Sequence, residues 1–160
     1  METTNLIEEK KLPGGLNALT ILTFIGSGIA FIFTCWNYVR ADTAVSQMEA
    51  TRDNENAPAF LKKLMTPEAI ERARVMAANK LPIFILSLIA CALCIAGAVQ
   101  MRKLKKQGFI LWLIGEVLPF IGFLIFVGVG AISDTPSIFG MAIALLFIIL
   151  YSVQRKHLVN

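Results

Sequence analysis

The side chains with the most chemical potential in this sequence are Glu116, the pair Cys91 and Cys94, and His157. Glu116 is the single acid in an apolar run of 25 residues, 108–132. Eight residues into that run, it would sit roughly 12 Å deep if the run is a membrane helix. An ionisable group there is costly as an anion and suggests proton or ion movement, or contact with another subunit. The alternative is a protonated carboxyl that donates a hydrogen bond and fixes helix packing. Counting depth from the same side, Thr23 on the first run lies roughly 10.5 Å deep, which makes it the expected partner for Glu116. Cys91 and Cys94 form a Cys-x-x-Cys, a spacing used for redox chemistry and metals. Cys91, however, is ten residues from either end of its run, and thiol exchange needs a thiolate that hydrocarbon disfavours. Cys35 lies near the other end of the first run, and His157 is the one histidine, so a Cys/His zinc set lacks ligands. The cysteines read as small packing residues. With no acid–base or nucleophile–base pair and no nucleotide motif, neither an enzyme nor a cofactor is expected.

The elements that position these residues are four apolar runs: 16–39, 81–101, 108–132 and 137–154. A bilayer core of about 30 Å takes about 20 helical residues, so each run is long enough to span. In lipid the backbone must satisfy its own hydrogen bonds, which makes the runs helices. The composition agrees, with 56% hydrophobic and 16% charged residues and a mean hydropathy of +0.68. A soluble domain this small could not hide so much apolar surface. The first run is too long for the hydrophobic core of a signal peptide, so it reads as a retained helix. The expected fold is all-α: a polytopic membrane protein whose single domain, 1–160, is a four-transmembrane-helix bundle with an external helical loop, 40–80.

Charge sets the expected orientation. Arg102, Lys103, Lys105 and Lys106 crowd the short connection between the second and third runs, which the positive-inside rule places in the cytoplasm. Both termini, with Lys10, Lys11, Arg155 and Lys156, then fall on the cytoplasmic side. The loop 40–80 carries seven Lys/Arg against six Asp/Glu and falls outside. Trp36 and Tyr38 would mark the outer interface, and Trp112 and Tyr151 the inner one. The net charge of +4 is spent at helix ends, so no nucleic-acid partner is expected. The expected location is a bacterial inner membrane.

Small residues mark expected packing faces. Thr20, Thr23, Ser27, Ala30 and Thr34 recur at helical steps on the first run, and Ser87, Cys91, Cys94 and Ala98 on the second. The third has Gly108, Gly115 and Gly122 seven apart, with Pro119 between, and the fourth has Gly140 and Ala144. Thr135 before Pro136 reads as a helix cap. In the loop, 41–52 could prolong the first helix, 53–58 is a breaker, and Thr66-Pro67-Glu68 opens an amphipathic helix. That helix would lie on the bundle or the lipid, or present Ile70, Arg72 and Arg74 to a partner.

The four-span layout, Pro13-Gly14-Gly15 before the first helix and Gly26-Ser27-Gly28 within it resemble small bacterial membrane proteins of unassigned function. The small multidrug exporters also have four spans and a membrane glutamate, but theirs is in the first helix and their loops are short, so their activity does not carry over. The expected function is a non-enzymatic accessory or scaffolding subunit, with the lipid bilayer and a membrane-protein partner or further copies of the chain as its contacts. The alternative is a small oligomeric transporter or channel subunit centred on Glu116.

Overall fold

The structure, a computed structural model, describes residues 12–129 and 135–158, with side chains in the second segment from Ser137 on. Every regular element among them is helical: α1 (Gly14–Asp53), α2 (Ala59–Leu64), α3 (Pro67–Ala78), α4 (Lys80–Arg102), α5 (Lys106–Phe126) and α6 (Thr135–Gln154), with a 3₁₀ turn at Arg155–His157. Four helices are long and apolar enough to cross a membrane, which suggests a multi-pass membrane protein. Their lipid-type residues face outward: Ile32, Ile125, Leu145 and Ile149 are all exposed.

At 40 residues, α1 is roughly 60 Å long, about twice the thickness of a bilayer core. Its second half carries charge, and α3 lies against it. Thr66 caps α3 by accepting the Ala69 N–H at 3.2 Å, and Pro67 follows at the first helical position. Glu68 in the first turn has its carboxyl held below the usual value, first by its own backbone N–H and then by the Thr66 hydroxyl. Ile70 is only 4% exposed, and the Arg74 Nε donates to Glu49 of α1 at 2.9 Å. Ile70 is therefore not available as a partner contact, and Arg74 is already held within the chain. α3 packs mainly along α1, and the burial of Ile70 removes apolar surface from water.

The α4–α5 hairpin is the tightest pair. α4 ends in a Schellman turn: the Lys105 N–H donates to the Gln100 carbonyl at 3.1 Å and the Leu104 N–H to that of Met101 at 2.9 Å. Leu104 takes the left-handed conformation (φ 59°) that glycine usually takes there, and its side chain packs on the core. α5 ends at Phe126, short of the expected 132. Gly128 beyond it has φ 90°, a conformation open to glycine that breaks the helix. The expected Thr135 cap falls outside the described side chains.

α4 packs between α1 and α5, while α6 touches α1 and, more lightly, α5. The core gathers at the end of the helices that carries the α4–α5 loop. There Leu16, Leu19, Met101, Phe109, Trp112, Tyr151 and Leu158 close on one another. Trp112 and Tyr151 are each 1% exposed, with ring centroids 4.4 Å apart. They are core residues rather than the interfacial belt that their positions suggested.

Candidate ligand cavity between the helices

Small residues do two different jobs here. Along α4 and α5 they allow contact: a methyl group on Gly97 would lie 2.5 Å from the Trp112 backbone nitrogen, and one on Gly115 2.8 Å from the Ala90 carbonyl oxygen. Gly108 is equally tight against Met101, and a methyl group on Gly122 would collide with the Leu86 side chain. Gly108, Gly115 and Gly122 thus lie along the close approach of α5 to α4. Gly97 belongs to the same seam but escaped the sequence reading, although Ala90, Cys94, Gly97 and Ala98 form one helical stripe of small residues. Gly140 differs from them, since a methyl group there would meet nothing within 4 Å among the described residues. Ala144, one turn on, is buried at 5% exposure.

Along α1 the small residues divide. Thr20, Thr23 and Ser27 are buried, and the Cys91 thiol of α4 donates to the Ser27 carbonyl at 3.9 Å. Ala30 and Thr34, further along the same stripe, face a half-open cavity of about 720 Å³. Helices α1, α4, α5 and α6 all contribute to its wall, together with Ala73, Met76 and Ala77 of α3. It exists because α1 and α5 lean on opposite sides of α4, and alanine and threonine are too short to fill the space left between them. Pro119 lines this space too, rather than the glycine seam. As proline it also withholds the N–H that would bond to the Gly115 carbonyl one turn back. A cavity of this size is in the usual range for small-molecule sites.

The cavity has a charged end, an apolar middle and a polar floor. Arg40 and Lys80 line the first. Lys80 pairs with Asp42 of α1, and the Arg40 guanidinium lies 5.2 Å from the centre of the Trp36 ring. Tyr38 stacks on Phe84 at 4.6 Å. The middle is lined by Phe33, Phe84, Phe120, Phe123 and Phe147. At the floor are Thr23, Ser27, Cys91, Cys94, Trp112 and Glu116.

Thr23 and Glu116 share that floor, but the expected hydrogen bond between them is replaced. The Thr23 hydroxyl is 2.7 Å from the Tyr151 hydroxyl, and Glu116 Oε2 instead receives the Cys94 thiol at a weak 4.0 Å. Helix side chains lean toward their own N-terminus. Tyr151, near the C-terminal end of α6, therefore reaches back along the helix to Thr23's depth. The two thiols of the Cys-x-x-Cys point apart: Cys91 to α1, and Cys94 to the Trp112 carbonyl of α5 at 3.8 Å. Both cysteines are free. Among the described residues, no cluster of three or more His, Cys, Asp or Glu could hold a metal. Comparisons with protein-family models, with curated proteins and with solved structures found no match.

Proposed function

We propose that the protein is a small, non-enzymatic membrane protein that holds an apolar or amphiphilic molecule between its helices, as a carrier or transport-type subunit would. The observation that carries this reading is the cavity itself. It has room for a ligand, a lining rich in phenylalanine, and the intramembrane carboxyl of Glu116 at its floor. Of the two expectations from the sequence, this geometry favours the one centred on Glu116. A purely scaffolding role expects the small-residue stripes to be used up in packing, and Ala30 and Thr34 of the α1 stripe are not. In this reading the four long helices form a bundle in a bacterial inner membrane. The positive charges of Arg102, Lys103, Lys105 and Lys106 hold the α4–α5 loop in the cytoplasm, and the charged end of the cavity then faces outward.

Photolabelling tests the proposal. A neutral lipophilic diazirine, reacted with the protein in bilayer discs, is expected to modify Ala30, Phe120 and Phe123, and unlabelled apolar competitor should reduce that labelling. Modification confined to the lipid-facing Ile125, Leu145 and Ile149, and insensitive to competitor, would refute the reading.

A further inference from the structure

We infer that the cavity takes an amphiphile with an acidic headgroup, held by Arg40 and Lys80, with its chain running toward Trp112 and Glu116. This deepens the proposal above and rests on it.

The argument starts from charge. Arg40 and Lys80 are the two cations in the lining. Asp42 is paired with Lys80, while Arg40 has no carboxylate partner among the described residues and rests on the exposed ring of Trp36. Among the described residues, two positive charges against one negative leave this end of the cavity with a net charge of +1. A guanidinium beside an ammonium suits a phosphate or carboxylate, since charge-assisted hydrogen bonds from Arg and Lys to such oxygens are the strong ones. Asn37 and Tyr38, in the same stretch of lining, can add neutral hydrogen bonds.

Length and lining supply the rest. From Arg40 to Thr23 along α1 the cavity runs 17 residues, roughly 25 Å at 1.5 Å per residue. That is most of the roughly 30 Å thickness of a bilayer core and suits an extended acyl or isoprenoid chain. Phenylalanines line the middle, where such a chain would lie. The far end carries Glu116, an acid, which opposes the reversed orientation in which an anionic head would sit at the floor. A lipophilic cation drawn to Glu116 is the competing occupant, and it would have to tolerate the net positive charge at the other end.

The two tryptophans make the test direct. Trp36 and Trp112 are the only ones in the chain, and Trp112 lines the floor while being 1% exposed. In Trp36→Phe protein in mild detergent, Trp112 emission would be followed during titration with a long-chain fatty acid brominated near its methyl end. The same titration would use a trimethylammonium amphiphile with the same brominated chain. Saturable quenching by the fatty acid is expected, with binding weakened on the order of tenfold by Arg40→Gln, as expected for losing a charge-assisted hydrogen bond. Ala30→Phe, which narrows the cavity without touching the cations, should reduce quenching by either probe. Tighter binding of the ammonium probe would overturn the acidic-head inference. So would equal binding of both probes with no effect of Arg40→Gln, and in either case the cavity would still stand as a ligand site. Quenching by neither probe, or quenching unchanged in Ala30→Phe, would overturn the cavity reading as well.

Discussion

The Thr23–Tyr151 hydrogen bond joins residues that counting along the helices places at different depths. Tyr151 is three residues from the end of its expected span, yet its phenol meets Thr23 near the cavity floor. Depth read from Cα positions misses this, because the reach and direction of a tyrosine are side-chain properties. The same substitution of partners leaves Glu116, among the described residues, with a weak sulfur contact. That makes it a poor packing device and a better candidate for work at the cavity floor. The Thr23–Tyr151 bond can be weighed by double-mutant cycle. Thr23→Val and Tyr151→Phe should each lower unfolding stability by about 0.5–1.5 kcal/mol, and the double variant should lose less than their sum. Strict additivity would show that the two hydroxyls contribute separately.

Helices were the most legible elements, since 20-residue apolar runs leave the backbone no other way to satisfy itself in lipid. The Thr66 cap and the three glycines of α5 were legible for the same local reason: spacing along one chain puts them on one face. What the spacing could not show is which helix each face meets. The small stripe of α1 looks uniform in sequence, but Ser27 is buried against α4 at the cavity floor while Ala30 is left exposed along the cavity. Gly140 looks like Gly115, but no neighbour among the described residues approaches it. This difference predicts opposite outcomes for one chemical change. Gly115→Ala forces a methyl group against the Ala90 carbonyl and should destabilise the protein by about 1–3 kcal/mol. Gly140→Ala adds a methyl group in open space and should be neutral or stabilising by up to about 1 kcal/mol, as alanine favours helix over glycine. Thermal unfolding of the two variants in one detergent separates them, and equal losses would mean that α6 packs through Gly140 after all.

As a whole the molecule is divided along its length. One end is closed by Trp112, Tyr151, Met101 and Leu16. The other is held open, with α1 prolonged beyond its apolar part and tied to α3 through Arg74–Glu49 and to α4 through Lys80–Asp42. These ties give the extra length of α1 a purpose: they fix Arg40, Asp42 and Lys80 around the charged end of the cavity. The most direct measurement of the central claim is native mass spectrometry of the protein released from mild detergent, wild type beside the variant carrying both Ala30→Phe and Ser87→Phe, two cavity-lining positions. The account predicts that wild type retains a discrete adduct of lipid-like mass, which the variant loses while remaining folded. Identical adducts on both proteins, or none on either after lipid is supplied, would contradict it.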